Sequence, residues 1–193
     1  MRTLALALTL VLSLSVSVPA RAAVDETNAN RLNALGLFLG TGSGYDLGGS
    51  ATRLHGIIML TRMLGEEADA LSFDGPCPFS DVAAGKPSAY TGYAFAQGYT
   101  TGVSTTTFRP NGALSFKHYV TFLLRALGYD DGAGDFTFAA SLDKAVEIGM
   151  MTRASADCIL QKQYALYRGD LVDLSVSALT TPLADGSATL AES

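Results

Sequence analysis

The chain predicts an all-α fold built from repeated helix-loop-helix units, and three observations carry that expectation. The run from Ala51-Thr52-Arg53 to Leu64-Gly65 aligns with the run from Leu114-Ser115-Phe116 to Leu127-Gly128 at an offset of 63 residues. Phe116, Tyr119, Val120, Leu123, Leu124 and Leu127 fall at i, i+3, i+4 and i+7 spacing, the stripe of an amphipathic helix. Glycine-rich runs, Gly40-Thr41-Gly42-Ser43-Gly44 and Gly98-Tyr99-Thr100-Thr101-Gly102, break the helical pattern between apolar segments. Repetition of this kind means one supersecondary unit used more than once, each copy burying its apolar face against its neighbours.

The elements follow in order. Met1-Arg2, the apolar run from Leu4 to Val18 and the exit Ala20-Arg21-Ala22 after Pro19 read as a secretory signal peptide over residues 1–22, cleaved after Ala22 or Ala23. The run is shorter than the roughly 20 residues that cross a bilayer, and no later segment is long and apolar enough, so no membrane span is expected in the mature chain. Repeat 1, residues 28–72, opens with a helix from Asn28 to about Leu39. After the glycine break a second helix starts at Thr52, with Leu54, Ile57, Ile58 and Leu64 on one side. Thr52 suits a helix cap, and His55 stands where a capping box would prefer Glu.

Repeat 2, residues 76–131, opens with Pro76-Cys77-Pro78-Phe79-Ser80-Asp81-Val82 and a helix from about Ser88 to Gln97 carrying Tyr90, Tyr93 and Ala94 inward. A loop through Phe108-Arg109-Pro110-Asn111-Gly112 leads to a cap at Ser115. Repeat 3, residues 135–183, is degenerate. Leu142, Ala145, Val146 and Gly149 give one helical face, and Leu171, Val172, Val176 and Leu179 give another, with Ser115–Leu127 mapping onto Tyr167–Leu179 at an offset of 52. Thr181-Pro182 stops the last helix, and residues 184–193 read as a small, polar, flexible tail.

Cleavage after Ala22 leaves 11 Lys plus Arg against 18 Asp plus Glu, a formal charge of -7. Counterion release needs a positive surface, so nucleic acid is not an expected partner. Cys77 and Cys158 are the only cysteines, and two readings of them stay open: a structural disulfide or an inert pair of thiols. They lack the Cys-x-x-Cys spacing of redox catalysis and cannot alone make a four-ligand zinc site. Gly40-Thr41-Gly42-Ser43-Gly44 has no Gly-Lys-Ser or Gly-Lys-Thr after it, so it does not read as a phosphate cradle.

Phe79-Ser80-Asp81-Val82, Gly98-Tyr99-Thr100-Thr101-Gly102, Phe108-Arg109-Pro110-Asn111 and Leu124-Arg125-Ala126-Leu127-Gly128 together resemble the surface-layer homology (SLH) domain. The resemblance covers about Asn28 to Leu183. It implies an exported bacterial protein whose three SLH-like repeats form a pseudo-threefold helical assembly. Such an assembly holds a secondary cell-wall polysaccharide, associated with peptidoglycan, without a covalent bond. The implied polymer-binding residues are Arg53 and Arg168 at helix starts, Lys117 beside the Phe116 that replaces Arg in repeat 2, Asp81, and the turn glycines Gly40 and Gly102. Relatives also use a nearby Trp, and this chain has none.

An Arg fork near a helix N-terminus suits carboxylate, pyruvyl-ketal or phosphate groups; the competing role for either Arg is a solvated surface ion pair. Asp81 has a competing role as a turn or cap residue. His55 and His118 occupy equivalent positions, which a shared helix-start environment explains more simply than polymer contact, metal binding or general-base work. Tyr90, Tyr93, Tyr99 and Tyr119 read either as core or as a sugar-stacking surface. No paired acids and no nucleophile with an oriented base stand together. The expectation is therefore a noncatalytic, cofactor-free and metal-free module at the bacterial cell wall or surface, with an envelope protein as a second partner. The rival is a secreted structural or protein-interaction domain that has lost polymer binding.

Overall fold

The computed structural model describes residues 25–162 and 165–193; the signal-peptide expectation for residues 1–22 lies outside them. The described residues form eight α-helices, one 3-10 turn and four isolated bridges, so the fold is all-α. The helices at the starts of the three expected repeats are α1 (Thr27–Ala34), α4 (Lys86–Ala96) and α6 (Ser141–Glu147). The second helices are α2 (Arg53–Met63), α5 (Phe116–Ala126) and α8 (Arg168–Leu179). Two short helices complete the set, α3 (Glu67–Ser72) and α7 (Arg153–Lys162).

The second helices α2, α5 and α8 pack against one another pairwise. Around them, α4 packs on α2, α6 on α5 and α1 on α8. Their starts are tied by a closed ring of backbone hydrogen bonds. The Ala51 N–H donates to the Leu166 carbonyl at 2.9 Å, Leu166 to Leu114 at 2.8 Å, and Leu114 to Ala51 at 2.9 Å. All three residues are fully buried, and the ring satisfies polar groups that would otherwise be orphaned in the core. Each stands one residue before the N-cap of its helix: Thr52, Ser115 and Tyr167.

The caps follow from local chemistry. The Thr52 hydroxyl accepts the His55 N–H, and His55 Nδ1 accepts the Thr52 N–H, both at 3.2 Å, so imidazole completes the capping box in place of Glu. Ser115 Oγ accepts the His118 N–H at 3.2 Å. At the third helix start the Asp170 carboxylate accepts the Tyr167 N–H at 2.9 Å.

The stripe read on α5 faces the core, with Tyr119, Val120, Leu123 and Leu124 fully buried. Inside, the Tyr119 hydroxyl lies 2.6 Å from Ser175 Oγ, which donates to the Leu171 carbonyl at 2.6 Å. Tyr90 and Tyr93 are also core residues, and Tyr99, half-buried, donates to Glu66 at 3.0 Å. The tyrosines therefore pack rather than make a stacking surface.

The structure departs from the sequence expectation in two places, and it selects one of the two readings left open for the cysteines. α1 ends at Ala34 rather than near Leu39, because Gly36 takes a left-handed φ of 74° and the following residues line a groove. The 184–193 segment is not a loose tail: Ala184 N–H bonds the Leu127 carbonyl at 2.8 Å, and Leu190 is buried. Cys77 and Cys158 are both free, one half-buried against Thr91 and the other exposed on α7.

Candidate functional site

Each second helix presents the start of one groove to the loop and helix of its neighbour. In the first groove, about 280 Å³, Arg53 from α2 meets the turn Thr100–Val103 and His118, Phe122 and Arg125 of α5. In the second, about 80 Å³, Arg168 from α8 meets Phe38 to Gly40 and His55, Met59 and Arg62 of α2. Arg53 matches Arg168, and His118, Phe122 and Arg125 match His55, Met59 and Arg62 at the offset of 63.

Arg53 is almost wholly buried, with 2% of its surface exposed. Its Nε donates to the Phe108 carbonyl at 2.6 Å, and the guanidinium lies over the rings of Phe108 and Phe122 at 4.7 and 5.5 Å. Nη1 and Nη2 are closed off from solvent and have no hydrogen-bond partner among the described residues. Burial, reinforced by the nearby Arg109 charge, pushes its pKa down to about 10, still charged at neutral pH. Arg168 repeats the arrangement: Nε donates to the Tyr45 carbonyl at 3.0 Å and the guanidinium lies 5.0 Å from the Phe38 ring centre. Burial lowers its pKa too. Among the described residues neither arginine makes an ion pair.

The histidines complete the parallel. Burial first, and the Arg53 charge second, push His118 down to about 4. Burial and Arg168 lower His55 in the same way. The first groove thus sets the buried Arg53, and the second the half-buried Arg168, beside an imidazole whose pKa is lowered, and a second Arg closes each: Arg125, paired with Asp131 at 2.8 Å, or Arg62, paired with Glu67 at 2.8 Å.

The remaining expected residues divide. Gly102 and Gly40 line the first and second grooves, with φ of 78° and 71°. A Cβ at Gly102 would stand 2.6 Å from the Ser104 carbonyl oxygen and 2.5 Å from the Phe79 ring, so only glycine fits. Asp81 points at backbone: its carboxylate accepts the Phe108 and Arg109 N–H groups at 2.8 and 2.7 Å, which lowers its pKa. It fixes the loop whose Phe108 carbonyl holds Arg53, with Arg109 at a left-handed φ of 60°. Lys117 donates to the Ala139 carbonyl at 3.0 Å and is not gathered with Arg53 or Arg168. The aromatic faces under the guanidiniums and the second arginines, Arg62 and Arg125, were not singled out from sequence, although the repeated Leu-x-Arg-x-Leu-Gly motif already placed those arginines at equivalent positions.

Among the described residues no helix is long and apolar enough to cross a membrane. No family model matches the chain. It is similar to the Middle cell wall protein of Brevibacillus brevis, 27% identical over 167 residues that make up 86% of this chain and 15% of that protein. The chain therefore spans about 15% of the length of this relative.

Proposed function

We propose that the chain is an exported, noncatalytic module that attaches to the bacterial cell envelope by noncovalent binding of an anionic secondary cell-wall polysaccharide. The observation that carries this reading is Arg53, a buried cation in the wall of a groove whose Nη1 and Nη2 lack hydrogen-bond partners among the described residues. A guanidinium held this way is oriented before a ligand arrives, and a carboxylate or phosphate oxygen that enters the groove to reach it satisfies donors that are otherwise unpaired. Arg168, half-buried, repeats the Nε–carbonyl bond and the aromatic face in the second groove. The packing of α4 on α2, α6 on α5 and α1 on α8, around α2, α5 and α8, supports a pseudo-threefold SLH-like arrangement of three repeats. The similarity to a protein named for the cell wall supports envelope association.

A second reading, a structural or protein-interaction domain without polymer recognition, draws on Phe116, which stands at the Arg position of the remaining groove. Cosedimentation of the mature protein with cell-wall sacculi, before and after chemical removal of the secondary polymer, separates the two. Polymer-dependent binding that is lost in an Arg53→Ala, Arg168→Ala double variant is the expected result. Absence of binding to either preparation refutes the polymer reading.

A further inference from the structure

The third groove is built on the same plan as the other two and has the opposite chemistry. Phe116 stands where Arg53 and Arg168 stand, Asp170 where His118 and His55 stand, and Ser177 where Arg125 and Arg62 stand. Asp173 takes the place of Thr121 and Ile58. Every position that gives the first two grooves positive charge is replaced, and two carboxylates enter.

Its floor is apolar and soft. Met150, Met151 and Leu174 line it with Phe116, and α7 closes one side with Ile159. The space is about 850 Å³, against about 280 and 80 Å³ in the other two grooves. Methionine side chains are flexible and polarisable, so a pair of them can mould to apolar groups of different shape. No Lys, Arg or His lines the groove. Asp173, three residues along α8 from Asp170, is exposed and accepts the Asn28 side-chain amide at 2.8 Å.

We propose that this groove binds a hydrophobic cation, presented by a partner protein as an apolar side chain next to a Lys or Arg. The apolar floor takes the uncharged part out of water, and the Asp170 and Asp173 carboxylates select the positive sign. An anionic polymer is repelled here, where no arginine lines the groove to offset its carboxylates as Arg125 offsets Asp131 in the first groove. This site is independent of the anion grooves, since it shares none of their charged residues.

Tetraphenylphosphonium and tetraphenylborate have the same shape and opposite charge, which makes them the probes of choice. With the methionine methyl groups labelled with carbon-13, titration with tetraphenylphosphonium is expected to shift Met150 and Met151 saturably and leave Met59, in the second groove, unmoved. Asp173→Lys, an exposed change that spares the core, is expected to weaken that binding about fivefold by exchanging attraction for repulsion, and to admit tetraphenylborate. Phe116→Arg, with folding checked by thermal melting, is expected to abolish it. An acetylated peptide alternating Leu and Lys should shift the same methyls, and its Leu and Glu counterpart should not. Equal binding of the two probes to the wild-type protein, or no shift at Met150 and Met151, overturns the proposal.

Discussion

Replacing Arg53 by Met separates a functional cation from a structural one. The substitution keeps an unbranched stem over Phe108 and Phe122 and removes the charge. A pKa held at about 10 instead of 12.5 means that burial, with the nearby Arg109 charge, costs the charged form roughly 3 kcal/mol. Against this, the charged hydrogen bond to the Phe108 carbonyl contributes about 1.5–3 kcal/mol, and the two ring faces contribute about 1–2 kcal/mol. The terms largely cancel, so Arg53→Met should alter stability by no more than about 2 kcal/mol, or about 4–8 °C in Tm for a domain of this size. Leu114→Ala, which opens a cavity at a fully buried position, should cost about 3 kcal/mol. Urea unfolding and thermal melts followed by circular dichroism read both. If Arg53→Met destabilises as much as Leu114→Ala, the guanidinium is a structural strut and the case for a poised anion site fails.

The Tyr119–Ser175 pair gives a cycle. Tyr119→Phe should cost about 1 kcal/mol, while Ser175→Ala leaves a buried phenol short of its partner and should cost about 1–3 kcal/mol; urea midpoints of both and of the double variant should show that the losses do not add. Gly102→Ala combines a left-handed φ with contacts to backbone oxygens and should lower stability by about 2–3 kcal/mol, checked by thermal melting. His118 is held at about 4 in the folded protein and near 6.5 when unfolded, so the unfolded chain binds the extra proton between those values. Stability therefore falls as pH drops from 6.5 toward 4, by about 2 kcal/mol for this group after allowance for screening at the groove mouth. His55 acts in the same direction. His118→Gln should flatten the urea-midpoint profile across that window; an unchanged slope would refute the assignment.

The second helices were legible because their pattern is dense and local: the α5 stripe, the caps at Thr52 and Ser115, and the offset of 63 all survive in the structure. α3 has only six residues, and its surroundings are knit by long-range bonds from Tyr99 to Glu66 and from Tyr90 to Glu67, which no local pattern announces. α7 lies where the offset shortens, and the repeat alignment offers no twin for it. Arg53 and Arg168 were legible as positions, but not as a buried and a half-buried group, because their enclosure depends on rings from other segments: Phe108 and Phe122 beneath one, Phe38 beneath the other. The ring of Ala51, Leu114 and Leu166 is made of backbone, and side-chain patterns carry no direct record of it.

The most direct measurement is a calorimetric titration of the mature protein with solubilised secondary cell-wall polymer, before and after its acidic groups are chemically neutralised. Saturable binding that disappears on neutralisation, falls with Arg53→Met and is lost with Arg53→Met, Arg168→Met is the predicted result. Binding that survives both neutralisation and the double substitution, or no binding by the folded wild-type protein, contradicts an anion-reading pair of grooves.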